Sequence, residues 1–409
     1  MNTRLLFAAG TVAACCALTA VAAPPFSSEQ PGVGRILRVP SGTLANHTAT
    51  AAANHVLAAA AVESVRVDPH VTHWVTFDAP GAGAFGTFPS AINDLGEIAG
   101  NYNDASPQQL QHGFLRTAEG AVVSFDPTGS QLTSPQAINN EGTIVGYYND
   151  VAGNTHGFMR SRQGKFTTFD EPNAGGSSLY TQPNAISDLG AVTGLYADAN
   201  GGVHGFLREP NGSFSNIDAP GTATGTVLFT ECASINVEGE VGCQFLDSAG
   251  TWHALLRYPG GTLVTVDAPG AGAGGGNLGT FTGFLQAVNA LGQMTGEYAD
   301  ANNGYHGYVR NAGGSVVEFT VPGGGTNNGT GTYPTSLNIW GLVTGFSYDV
   351  NGFPSGFVRF ADNTIDAFQA PAPNNQGTAP FGNNALGQFT GYSFDVNGTA
   401  HGFIAVAKP

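Results

Sequence analysis

The stretch "INNEGTIVGYYNDVAGNTHGFMR", Ile138 to Arg160, has near-copies along most of the chain. The copies align on an Asn three residues before a Gly: Asn93/Gly96, Asn139/Gly142, Asn236/Gly239, Asn289/Gly292, Asn338/Gly341 and Asn384/Gly387, with Ser187/Gly190 filling the third place. Successive anchors are 46 to 53 residues apart. A unit this small cannot bury its own apolar face, so each copy must stack on its neighbours. The repeat therefore restricts the fold to an array or ring of like units.

Each unit reads as four short strands. In the quoted copy the first ends at Asn139, a tight turn carries Gly142, "TIVGYYND" is the second and "HGFMR" the third. "KFTTFD" is the fourth, and a longer loop crosses to the next unit. Four strands in this length place the chain in the size class of propeller blades. The seventh unit stops after its third strand, "HGFIAVA", and the missing strand stands ahead of unit one as "WVTFDAPG", Trp74 to Gly81. The expected fold is all-β: a seven-bladed β-propeller over residues 71–409, closed by an N-terminal outer strand. Closure of that kind removes exposed sheet edges. The 60 glycines among 409 residues, without a collagen period, suit many tight turns.

The units resemble the HAF-type extracellular repeats of bacterial exported proteins. The resemblance is carried by motifs of the form "AINDLGEIAG…HGFLR", Ala91 to Arg116, and spans residues 74–409. It implies export and a propeller-like fold, and it carries no activity that can be assigned to particular residues.

The N-terminus supports export. Residues 1–22 read as a signal peptide, with "MNTR" charged, "LLFAAGTVAACCALTAV" apolar and "AVA" offering small residues for cleavage. The rival is a lipoprotein box, "VAAC", ending at Cys15. Residues 23–70 read as a flexible extension. A secreted, periplasmic or cell-surface location follows, and no later stretch is long enough for an integral membrane span. A net charge of −16, with 13 Lys+Arg and no basic run, argues against nucleic acid and anionic membranes as partners. The expected state is a monomer without cofactor.

Six of the 10 histidines open third strands: His112, His156, His204, His253, His306 and His401, with Ser355 in unit six. Asp104, Asp150, Asp198, Asp247, Asp300, Asp349 and Asp395 end second strands. Across the six hairpins that carry a histidine this gives structural Asp–His pairs. A shared metal fails on distance. The third strand lies roughly 9–10 Å outside the innermost one, while zinc needs ligand nitrogens at about 2.1 Å. Asp78, Asp126, Asp170, Asp218 and Asp267 open the crossing loops and read as caps of their own turns.

Unit four alone carries cysteines past the signal. Cys232 takes a slot that is Pro in five units, and Cys243 a slot that is Gly in the six others. Their places on either side of one turn predict a disulfide in an oxidising compartment. The variable loops of the crossing face predict a ligand site there. Trp252, Tyr305, Phe353, Phe281 and Tyr333 are its candidate sugar-stacking residues. No catalytic or metal-binding residue is assigned. Glu171 and Glu231 stand out on that face as acids without an obvious partner. The reading is a binding or surface-interaction module for an extracellular ligand such as a glycan or envelope polymer. The alternative is a hydrolase or lyase acting on an extracellular polysaccharide.

Overall fold

The computed structural model describes residues 70–408, apart from 177–178, 220–228, 275, 285 and 372–374. The signal peptide, Cys15 and nearly all of the extension lie outside the described residues. Contacts divide the chain at Arg66/Val67. Among the described residues there is no helix, and hence none long and apolar enough to cross a membrane.

The strands pair as antiparallel meanders of four, one per sequence unit. Unit one is Ala82–Ile92, Ile98–Asp104, Gln111–Arg116 and Val122–Phe125, each paired with the next. Unit two repeats this with Leu132–Ile138, Ile144–Asn149, Thr155–Arg160 and Phe166–Phe169. The third to sixth units follow the same order. In unit five the first strand is only Gly279–Thr280, because its longer crossing segment breaks the ladder before Val288 bridges to Met294. In the last unit Thr378–Asn383, Gln388–Phe394 and Ala400–Ala407 are completed by Val71–Phe77, which pairs antiparallel with Ala400–Ala407 from Val71↔Ala407 to Phe77↔Gly402.

The repeated Asn does two jobs. Asn139 Oδ1 accepts from the Thr143 N–H and closes its own turn, with Gly142 at a positive φ of 73°. Its Nδ2 donates to Ser187 O in the next unit at 3.0 Å. The same step runs from Asn93 to Asn139 O, Asn236 to Asn289 O, Asn289 to Asn338 O and Asn338 to Asn384 O. Asn384 Nδ2 then donates to Asn93 O at 2.9 Å. Ser187, lacking an amide, does not continue the series.

The Pro and Gly slots face each other across the first two strands of a unit, as in Pro135↔Gly146. The ladder slips by one residue just after this slot, and it does so after Cys232 as well as after Pro135. The strands approach so closely that a Cβ on Gly146 would lie 2.1 Å from Ser134 O. Gly146→Ala is expected to destabilise by about 2–3 kcal/mol in urea unfolding. Gly313→Ala, where nothing lies within 4 Å, should be near neutral and serves as control.

Candidate functional site at the inner strands

The histidines are placed as predicted, but their principal partners are not those predicted. In five of the six, the imidazole Nδ1 meets the acid that opens the crossing loop: His112 with Asp126 at 2.6 Å, His156 with Asp170 at 2.8 Å, His204 with Asp218 and His253 with Asp267 at 2.7 Å, and His401 with Asp78 at 2.9 Å. The hairpin acids Asp104, Asp150, Asp198, Asp247, Asp300 and Asp395 stand farther off, 3.3 to 3.8 Å from Nε2. They spend their other oxygen on their own turns, as Asp150 Oδ1 does with the N–H groups of Ala152 and Asn154. The predicted hairpin pairs are thus present, and the loop acids add a second, closer partner. The hairpin acids both cap turns and flank the histidines at Nε2, and five loop acids bind the histidines at Nδ1. The cause is register: a residue 14 positions on, at the end of the fourth strand, lies beside the start of the third. Thr320 takes this place for His306, and Gln369 donates to Ser355 Oγ.

The bond to Asp218 raises the His204 pKa, against burial, and Asp198 adds to it. The side-chain amide and backbone of Asn154 hold the Asp150 carboxyl down to about 2. Most of the imidazoles also lie over a ring of the preceding strand, such as Tyr196 against His204 at 5.0 Å. Among the described residues no group of three or more His, Cys, Asp or Glu could hold a metal ion.

The aromatic ligand face is corrected. Trp252, Tyr305, Phe281 and Tyr333 are buried, Tyr305 to 1% exposure. Their rings pack on one another: Trp252 on Phe281, Phe281 on Tyr305, and Tyr305 on Tyr333 at 4.8 Å. The chain of rings continues from Tyr333 through Phe346, Phe381 and Tyr392 to Phe88. Phe353 is half-buried at its hairpin and does not belong to this belt. Interior aromatic area outweighs exposure here, since each ring buries far more apolar surface between units than at a loop tip.

The other arc of the inner strands is polar. The residue before the Pro or Cys slot is Phe88, Ser134, Gln182, Glu231, Tyr333 and Ala379 in turn, with Phe281 in unit five. Units two to four place amides, hydroxyls and one carboxyl there. Tyr180 Oη donates to Gln182 Oε1 at 2.5 Å, Gln182 Nε2 to Asn184 Oδ1 at 2.9 Å, and Asn184 Nδ2 to Cys232 O at 2.9 Å. Asn184 also favours the ionised Glu231 carboxyl, and Gln244 Nε2 donates to Glu231 Oε2 at 3.2 Å. In unit two Gln136 Nε2 donates to Ser134 Oγ. Gln182, Asn184 and Gln244 are buried, whereas Tyr180 and Glu231 keep partial exposure.

Burial pushes the Glu231 carboxyl up to about 7, against the pull of its bonds from Gln244 and Asn184. Glu231 thus has the partner that sequence reading did not find, and it lies on the strand Thr230–Ile235 rather than in a loop. The signal was present as the single acid in its alignment column. Glu171 is buried and caps its own loop, accepting from the Asn173 N–H at 2.6 Å. The Cys232–Cys243 disulfide sits one register step from Glu231↔Gln244.

Two solved structures are similar to this geometry. The BP39L lectin from Burkholderia pseudomallei has 11% identity and a TM-score of 0.52, over 80% of this chain and 96% of that one. A puromycin hydrolase has 13% identity and a TM-score of 0.51, over 79% of this chain and 55% of that one. The chain has a β-propeller-like fold. This chain matches little more than half the length of the hydrolase. No family model and no curated protein sequence matches the chain.

Proposed function

We propose that the protein is an exported, monomeric, non-catalytic binding module: a closed ring of seven blades built from HAF-type repeats. It takes a neutral, hydroxyl-rich ligand of the saccharide class where the inner strands open toward the crossing loops. The observation that carries this is the run Tyr180–Gln182–Asn184–Glu231–Gln244. Side-chain amides offer donors and acceptors at fixed spacing, the pattern a polyol needs. The net charge of −16 disfavours anionic ligands. Support for the closed ring comes from the pairing of Val71–Phe77 with the last unit and from the Asn384-to-Asn93 bond. The fold shared with a lectin is a precedent, and the chemistry of the arc supplies the argument.

The test is a glycan array followed by calorimetry on the hits. Saccharide binding without turnover is expected, and Gln182→Ala or Asn184→Ala should weaken it about tenfold or more, as loss of a buried polar partner does. Silence across neutral saccharides and envelope polymers defeats the reading. A second reading, polysaccharide hydrolysis or lysis, is favoured by one feature: a carboxyl poised near neutrality suits a general acid. Product release by the wild type that disappears in Glu231→Gln would decide for it.

A further inference from the structure

We infer that the Cys232–Cys243 disulfide is a positioning element for the Glu231 site, replacing the proline–glycine contact of the other units and setting where the Glu231 peptide lies against Gln244 and Asn184. The argument begins from the glycines. A Cβ at the matching slot would lie 2.3 Å from Phe88 O on Gly100, 2.1 Å from Ser134 O on Gly146 and 2.0 Å from Gln182 O on Gly194. On Gly296, Gly345 and Gly391 it would lie 2.1, 2.2 and 2.2 Å from the carbonyls of Phe281, Tyr333 and Ala379. Every one of those oxygens belongs to the residue that in unit four is Glu231. Cys243 carries a Cβ at this slot, so the Glu231 carbonyl cannot lie where its counterparts do.

The covalent link then fixes the altered path. Cys232↔Cys243 is the register step next to Glu231↔Gln244, and both sulfurs are buried. Cys232 O is also the acceptor for Asn184 Nδ2, so the same residue ties the neighbouring unit's amide to the site. A bridge across a sequence separation of 11 closes a short loop, the kind that stabilises least through chain entropy. Its effect here is geometric: it joins two strands beside a carboxyl that stands on one of them, with Gln244 on the other and Asn184 on the preceding unit.

The experiment reads the Glu231 titration in ligand-free protein, by infrared difference against Glu231→Gln. Two variants are compared: Cys232→Pro/Cys243→Gly, which restores the residues of unit two, and Cys232→Ala/Cys243→Ala, which removes only the bond. Thermal melts confirm folding, and if the first does not fold the second decides. The Glu231 midpoint is expected to fall from about 7 by about one pH unit, as its hydration rises. An unchanged midpoint in a folded variant overturns the inference. Saccharide affinity, which rests on the proposed function, should fall about tenfold alongside. A shifted midpoint in a protein that binds no saccharide would defeat the binding reading and leave the positioning role standing.

Discussion

Removal of residues 1–78 is expected to leave a protein that aggregates instead of folding. The strand Val71–Phe77 is the fourth member of the last unit and pairs along the outer edge of Ala400–Ala407 from Val71↔Ala407 to Phe77↔Gly402. Trp74 lies 5.2 Å from Phe403, 5.5 Å from Phe368 and 6.0 Å from Phe389, joining the apolar clusters of units six and seven. Asp78 holds His401. Loss of the tryptophan alone should destabilise by about 3–4 kcal/mol. Loss of the strand adds an unpaired edge to a domain whose total stability is on the order of 5–15 kcal/mol. Size-exclusion chromatography and circular dichroism of residues 79–409 against 70–409 would check this. A monomeric, cooperatively melting 79–409 would show that the last unit does not depend on the N-terminal strand.

Glu231→Gln is expected to stabilise the protein above neutrality and to flatten its pH dependence. The folded pKa is raised from 4.5 to about 7, so the sign is that of a buried acid. Below pH 4.5 the carboxyl is protonated in both states and carries no penalty. Between 4.5 and 7 the folded state retains a proton that the unfolded chain has released, and stability falls as pH rises. Above 7 the full penalty applies, about 2–3 kcal/mol once partial water access is allowed for. The groups bonded to Glu231, Gln244 and Asn184, do not titrate, so the step belongs to this carboxyl. Urea unfolding at pH 5 and pH 8 should show wild type losing that much more than the glutamine variant, because the loss that accompanies deprotonation of His204 and His112 is common to both. Parallel curves would mean that water hydrates the carboxyl fully.

The repeat decided most of what could be known before any coordinates. The Asn-to-Gly spacing marks the turns, the alternation within each unit marks the strands, and the strand missing from the last unit turns up at residue 74. These are local properties: turn geometry, hydrogen-bond periodicity and the count of strands per repeat all follow from neighbours in sequence. The cysteine pair was legible for the same reason, since its slots could be read from the other units.

Tertiary structure decided everything that depends on which side chains meet across units. His112 meets Asp126 more closely than Asp104 because the fourth strand returns beside the third, a placement visible only once register is known. Trp252 and Tyr333 look like loop aromatics in sequence, yet they are buried, since burial between units removes more apolar surface from water than any loop position does. Glu231 shows the limit most clearly. Its column in the repeat marks it as unusual, but its altered pKa arises from packing by residues of two units, and no property of the local sequence encodes that environment.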